Sequence, residues 1–292
     1  MPFTFFAHQA PVLPLIEGHP DRWDGVALVV GSMAPDLAYV TQGWGYGPWG
    51  MPLWFDGHKL ANLPTVVLAA AALSIVVRRV VLAVLPRMIP DGGVLHLHDY
   101  RNIADHTRRW WVTLTSAFVG VLTHLVLDAF THPDGAVVEA FGFLRITLFD
   151  IGGHSVRIYS VLQYGGTVAL SWLAARSLVR FGERRRFAST DGRSPAAPSD
   201  GARRVFWLIT VAGVVAGVAY AVSRSGPHML GGAVISGSKS TVIIAFCWVG
   251  FLGLVLACLG VEAWTAITSP GRSTPGGGAA PQRWSYRARG PA

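Results

Sequence analysis

The sequence predicts an all-α, polytopic membrane protein with about five transmembrane helices and a short buried or re-entrant helix near the N-terminus. Of its 292 residues, 51% are hydrophobic and only 14% are charged, whereas soluble domains carry roughly 25% charged residues. The mean hydropathy is +0.42, and the apolar residues form runs long enough to cross a bilayer. These observations disfavour a soluble enzyme, a disordered chain and a coiled coil.

The apolar runs define the predicted spans. A transmembrane helix needs about 20 mostly apolar residues, and the segments that meet this need are residues 62–85, 110–131, 157–177, 205–223 and 240–262. An earlier apolar segment, residues 25–35, is too short to cross unaided. We expect it to be buried or re-entrant, because polar backbone at membrane depth must be surrounded by protein.

The placement of arginine predicts the orientation. Residues 180–204 hold seven Arg around a Ser/Pro/Gly-rich centre, which is typical of a flexible cytoplasmic loop. We therefore predict a multi-pass plasma-membrane protein with a cytoplasmic C-terminus. Its predicted parts are a membrane domain over 1–180, an Arg-rich linker over 181–204, a two-helix membrane segment over 205–268 and a disordered tail over 269–292.

Aromatic residues mark the opposite, outer side. Residues 42–54 (QGWGYGPWGMPLW) place aromatic rings between glycines and prolines. Such rings settle at the membrane interface, so this segment is predicted to anchor the outer surface or to wall a pocket for a lipid-like ligand. The Arg runs are short and next to spans, and no nucleic-acid-binding module is recognised, so the bilayer is the predicted partner.

The sharpest chemical feature is HLVLDAFTH, residues 124–132, at the outer end of the second span. His124, Asp128 and His132 recur every four residues, and at about 100° per residue they lie along one helix face. Imidazole and carboxylate suit zinc, manganese or iron, and an ionisable residue inside a span is costly unless it is paired or wetted. The pattern indicates a metal site; a His–Asp pair that only ties helices or relays protons is the alternative.

Topology brings further ligand types to the same side. His58 stands just before the first span, and Asp36 follows Pro35 in a turn that ends the short apolar segment. With His8 they would form a His/Asp-rich pocket for one divalent ion or for two ions sharing a carboxylate. His154 is also on this side. A second group in residues 96–106 (HLHDYRNIADH) is expected to be a solvated cytoplasmic loop.

These motifs resemble a family of bacterial membrane proteins defined by domain of unknown function 4184. The resemblance covers about residues 1–180 and rests on MPFT with His8, GSMAPD at 31–36, His58, the 124–132 motif and LQYG at 162–165. The order of motifs is similar in turn to that of membrane-bound metal-dependent hydrolases and, more distantly, of zinc-dependent phospholipase C. That resemblance implies that the metal ligands are His8, Asp36, His58, His124 and Asp128. His132 would be a further ligand or would support the others.

The predicted function is a metal-dependent hydrolase of the plasma membrane that acts on a lipid-like or phosphoester substrate. A divalent ion, zinc or else manganese or iron, would activate water, and His132 or Asp134 would serve as general base. Two alternatives remain open. One is a non-catalytic structural or partner-binding protein with a His/Asp scaffold site, and the other is metal or ion transport, disfavoured because no inverted repeat is evident.

Overall fold

A computed structural model describes residues 7–37, 57–88, 108–186, 198–225 and 238–268. These residues are mainly helical, which confirms the predicted all-α class. The aromatic segment 42–54, the His/Asp-rich segment 96–106 and the tail 269–292 lie outside the described residues.

Nine helices are present in the described residues. They are α1 (Leu13–Gly18), α2 (Gly25–Gly31), α3 (Leu63–Val76), α4 (Leu82–Met88), α5 (Trp110–Thr131), α6 (Ala136–Ala140), α7 (Ile158–Arg186), α8 (Asp200–Ser225) and α9 (Ser238–Thr268). A π-helical turn, Val77–Val81, joins α3 to α4. Short 3-10 turns occupy Ala34–Leu37, Leu60–Asn62 and Gly142–Arg145.

Four helical stretches of the described chain are long and apolar enough to cross a membrane. They are Leu60–Met88, Trp110–Ala140, Asp200–Ala219 and Val249–Thr268, and they coincide with four of the five predicted spans. The remaining predicted span, residues 157–177, lies in α7. Gln163, Tyr164 and two following glycines make α7 less apolar, so its crossing stays a prediction.

The short N-terminal helix is buried, as predicted. At 1.5 Å per residue the seven residues of α2 measure about 10 Å, far less than the roughly 30 Å of a bilayer core. Glycines let α2 approach α5 backbone to backbone. A Cβ on Gly31 would meet the carbonyl of Ala117, and a Cβ on Gly120 would meet the carbonyl of Leu28.

Two apolar cores hold the helices together. The first lies between α2, α3 and α5 and contains Ala27, Val30, Val66, Ala70, Ala117 and Val121. The second packs α4 against α8 and α9 and contains Val84, Met88, Phe206, Ala257, Cys258 and Val261. In α8 and α9 the backbones meet at Gly213 and Gly253, where a Cβ on either residue would lie 2.8 Å from the other glycine.

A small β-hairpin interrupts the helices and was not predicted. Strand β1 (Thr147–Ile151) pairs antiparallel with β2 (His154–Arg157). Gly152 and Gly153 connect the strands with φ of 56° and 79°, the positive values that a two-residue hairpin turn requires at both positions. The Gly-Gly pair between two short β-prone runs is the sequence signal that could have revealed this hairpin.

Candidate metal centre

Helix α5 supplies one wall of the site. His124 and Asp128 are one turn apart, and His124 Nε2 lies 3.2 Å from Asp128 Oδ2. His132 caps the C-terminus of α5, and its Nδ1 lies 3.3 Å from Asp128 Oδ1. The four-residue spacing thus brings all three polar side chains to one end of one helix face.

The connecting segments supply the opposite wall. His58 Nε2 lies 3.1 Å from Asp128 Oδ2 and 3.5 Å from Asp36 Oδ1. Asp36 belongs to the turn Ala34–Leu37, which directly follows α2. A Cβ on Gly57 would meet the carbonyl of Pro35. A glycine just before His58 therefore allows the His58 turn to pack tightly against the turn that carries Asp36.

His8 completes the cluster from the N-terminal side. Its ring stacks on that of His124 with centroids 3.9 Å apart, and its Nε2 lies 3.6 Å from Asp128 Oδ1. Asp36 Oδ1 lies 3.6 Å from His124 Nε2. The structure therefore brings together all five predicted ligands, although 120 residues of sequence separate the first from the last.

The geometry suits a cation. Two groups of residues have ligand atoms that all lie within 4.8 Å of one another, His8–Asp36–His124 and His58–His124–Asp128. Both groups share His124. Because neutral imidazole nitrogen and carboxylate oxygen are standard ligands for zinc and related ions, either group can hold a metal ion.

The backbone orients His124 for such a role. Its Nδ1 lies 2.8 Å from the carbonyl oxygen of Ser32, and a carbonyl can only accept a hydrogen bond. The Nδ1 position must therefore carry the proton, which leaves the lone pair of neutral His124 on Nε2, facing Asp36 and Asp128. Metal-ligating histidines are commonly oriented by a carbonyl in this way.

Unpaired atoms in the cluster also fit a cation. His8 Nδ1 and Asp128 Oδ1 are buried and have no hydrogen-bond partner, although the nitrogens of His8 and His132 lie near Asp128 Oδ1. Buried polar atoms without partners are costly. A coordinated ion would satisfy such atoms, so the residues present fit a divalent metal.

The titratable groups of the cluster that lie outside the apolar stretches have pKa values shifted in different directions. Burial, followed by repulsion from His124, lowers the pKa of His8 to about 3, so its imidazole is neutral at pH 7. Burial alone would lower the pKa of His58, but its hydrogen bonds to Asp128 and Asp36 prevail and raise that pKa to about 10. Burial alone would raise the pKa of Asp36, but the neighbouring His124 and His58 lower it.

The predicted general bases occupy different positions. His132 touches Asp128, and its side chain is about one-third exposed at 32%. Asp134 is exposed in the turn after α5, and none of the described contacts within the cluster involves it. His154, which lies on the same predicted side, begins β2, where its backbone pairs with Ile151.

A second buried polar cluster, at the other end of α2, was missed by sequence reasoning. Asp24 caps α2, with Oδ1 accepting from the Ala27 amide at 3.1 Å, and Arg78 forms an ion pair with it. Thr113 Oγ1 donates to Asp24 Oδ2 at 2.7 Å, and the Asp24 amide donates to Ser116 Oγ at 2.9 Å. The Arg78–Arg79 pair within an apolar run was the available signal, since such charges are usually paired.

The comparisons with known proteins agree with the motif order. The family described as domain of unknown function (DUF4184) matches residues 1–259, which extends well beyond the resemblance over residues 1–180. No curated protein and no solved structure matches the chain. The likeness to membrane-bound metal-dependent hydrolases stays a prediction.

Proposed function

The chain belongs to the DUF4184 family, and we propose that it is a metal-dependent hydrolase of the plasma membrane that acts on a lipid-like or phosphoester substrate. The observation that carries this proposal is the convergence of three imidazoles and two carboxylates around His124. These side chains come from the N-terminal turn, the turn after α2, the turn before α3, and α5.

Zinc fits this ligand set best, with manganese or iron as alternatives. The residues that would hold it are His8, Asp36, His58, His124 and Asp128. When bound, a divalent ion lowers the pKa of a coordinated water toward neutrality and polarises an ester oxygen. The described residues thus combine neutral nitrogen, supplied by His8 and the oriented His124, with carboxylate charge from Asp36 and Asp128.

His132 is the better placed of the two proposed general bases. It stands at the rim of the cluster, partly exposed, with Nδ1 near Asp128 Oδ1. A base at this position can take a proton from a reacting water and release it to solvent. Asp134, two residues further on and exposed, is the second candidate for the same role.

The opening of the site favours a substrate from the bilayer. His8, Asp36 and His124 are buried, whereas the side chains of His58 and His132 are 28% and 32% exposed. The exposed side of the cluster therefore lies near the C-terminal end of α5 and the start of Leu60–Met88, two apolar stretches that could cross a membrane. The Arg-rich segment 181–204 supports a cytoplasmic C-terminus and a site toward the outer face.

Metal analysis of the purified protein in detergent tests the first half of this proposal. We expect about one or two divalent ions per chain, lost in Asp128→Ala and retained in the matched control Asp150→Ala, an exposed carboxylate of β1. Wild-type protein that binds no zinc, manganese or iron at neutral pH would contradict it.

An assay of turnover tests the second part of the proposal, the hydrolase activity. Zinc-loaded protein in lipid nanodiscs should hydrolyse a member of a panel of phospholipids and lipid-linked phosphoesters, and His132→Gln should slow this reaction while it retains metal. Metal binding without turnover on the panel would instead support a second candidate function, a structural metal site. The burial of His8, Asp36 and His124 is the observation that favours that candidate.

A further inference from the structure

The segment between α6 and α7 exposes an unusual amount of apolar surface. Its exposed side chains are Phe141, Phe143, Ile146, Leu148, Phe149 and Ile151. Contiguous exposed apolar surface of this kind marks a site of interaction with a protein or a membrane. We call residues 141–157, which comprise the 3-10 turn Gly142–Arg145 and the β-hairpin, the apolar hairpin.

Both faces of the hairpin are apolar. Consecutive residues of a strand point to opposite faces, yet Leu148 and Phe149 are exposed to nearly the same extent, 52% and 49%. Every residue of β1 is exposed. A hairpin that packs on a protein partner typically buries one face and keeps the other polar, so this pattern indicates an apolar medium that surrounds both faces.

Two charged side chains of the segment, Asp150 and Arg145, have polar partners within it or directly before it. Ser155 Oγ donates to Asp150 Oδ1 at 2.6 Å across the two strands. Arg145 donates to the carbonyl of Pro133 at 3.0 Å and lies 3.7 Å from Glu139. The charges of Asp150 and Arg145 therefore add less cost when the hairpin leaves bulk water.

The hairpin is fixed beside the end of a membrane-spanning stretch. A Cβ on Gly135 would meet the carbonyl of Ala129, which shows that the chain turns back against the last turn of α5. The bond from Arg145 to Pro133 holds the segment there. On the same turns of α5, Val126 and Phe130 are exposed apolar residues, so apolar surface is present on the span and on the hairpin beside it.

We propose that the apolar hairpin lies in the interfacial layer of the bilayer, in the leaflet next to the His/Asp cluster. A two-stranded hairpin leaves unpaired N–H and C=O groups along both outer edges, which excludes it from the hydrocarbon centre. Phe and Leu side chains of surface-bound elements bury themselves at the boundary between headgroups and acyl chains. The lipid headgroup region meets both demands, and this placement does not depend on hydrolase activity.

Site-specific fluorescence quenching tests the placement. In a chain whose two cysteines, Cys247 and Cys258, are replaced by Ala, single cysteines at Leu148 and at Ile151 are labelled with an environment-sensitive fluorophore in nanodiscs. We expect nitroxide groups on the lipid headgroup or upper acyl chain to quench both labels several-fold more than aqueous iodide does.

Two matched controls define the limits. A label at the exposed turn residue Asp134 should respond mainly to iodide, and a label at Leu68, exposed within Leu60–Met88, should respond mainly to nitroxides deep in the acyl chains. The proposal is overturned if Leu148 and Ile151 both behave like Asp134 or like Leu68. It is also overturned if both are shielded from every quencher, since that result would mean that protein covers the hairpin.

Discussion

A buried polar cluster lies at each end of α2, and the two clusters compensate their buried negative charge in different ways. At the N-terminal end, Asp24 is closed: Arg78 supplies the positive charge, and both carboxylate oxygens accept hydrogen bonds from fixed donors. At the C-terminal end, the described residues of the His/Asp cluster include two carboxylates and no Lys or Arg, so positive charge depends on imidazole protons.

The difference in positive partners distinguishes a structural ion pair, Asp24–Arg78, from a cluster that can bind a metal ion. In the closed pair both oxygens of Asp24 are occupied, and the atom without a partner is the donor Arg78 Nε, which cannot bind a metal ion. The His/Asp cluster instead retains the unpaired ligand-type atoms His8 Nδ1 and Asp128 Oδ1. A buried carboxylate with exchangeable positive partners can accept a metal ion, because binding requires only that protons leave the ligands.

Breaking the closed cluster should cost the most stability. Arg78→Gln leaves Asp24 buried without its cation, and removal of one partner of a buried pair typically costs about 3–5 kcal/mol. Thermal unfolding in detergent should show this loss, and Arg79→Gln, which changes an exposed neighbour, should leave the midpoint nearly unchanged.

A double variant sharpens that result. Asp24→Leu combined with Arg78→Leu replaces the pair by apolar side chains, and such replacements are often neutral or stabilising. The double variant should therefore be more stable than Arg78→Gln alone. Equal destabilisation by both would show that the pair contributes more than charge compensation.

Metal should stabilise the protein through the His/Asp cluster alone. A ligand at 100 times its Kd stabilises the folded state by about 2.7 kcal/mol. Zinc should raise the unfolding temperature of the wild type, and a chelator should reverse the rise. Asp128→Ala should not respond, whereas Arg79→Gln should respond fully; a zinc response retained by Asp128→Ala would argue against this site.

Residues at the centre and rim of the site should differ in their effect on affinity. His132→Gln removes a neighbour of Asp128, and loss of a supporting residue typically lowers metal affinity by about 10–100-fold. His124→Gln removes the nitrogen that both ligand groups share, so the loss should be larger. Competition with a zinc-binding dye measures both, and equal losses would contradict the central place of His124.

Metal affinity should rise with pH over the range in which His58 loses its proton. The folded-state pKa of about 10 lies above the ordinary value of 6.5, so His58 stabilises the metal-free fold below about pH 6.5. That stabilisation is lost as pH rises through about 10. An ion that binds His58 must displace this proton, so His58 by itself should make affinity increase about tenfold per pH unit in between, or about 1.4 kcal/mol.

His58→Gln checks the assignment. Titrations of this variant with zinc between about pH 7 and pH 9 should show weaker binding with a flatter pH dependence. His8 should not contribute to the slope, because its pKa of about 3 keeps it neutral throughout. An unchanged slope in His58→Gln would assign the displaced proton to another group.

Local sequence patterns predicted much of the site, but not the backbone carbonyl that orients His124. The four-residue spacing of His124, Asp128 and His132 placed them on one face, and span topology together with the family resemblance added His8, Asp36 and His58. The carbonyl of Ser32 could not be found in this way, because every residue has one and its role depends on a contact across 92 positions.

In the fold, too, local features were predicted and contacts between distant residues were not. Hydropathy found the four apolar stretches and the short buried helix, since each is a local property of composition. It did not pair Asp24 with Arg78, which are 54 residues apart, because a sequence does not state which charges meet. The hairpin was not predicted for another reason: residues 147–151 (TLFDI) lack the strict alternation of apolar and polar residues that marks a half-buried strand.

The π-helical turn Val77–Val81 sets the rotational phase between two parts of the molecule. A π turn holds an extra residue relative to an α-helix, so α4 is rotated about the common axis relative to a regular continuation of α3. Deletion of one residue there would turn α4 by about 100°. Val84 and Met88 would then leave Phe206 and Cys258, so the docking of the C-terminal helix pair depends on a single inserted peptide unit.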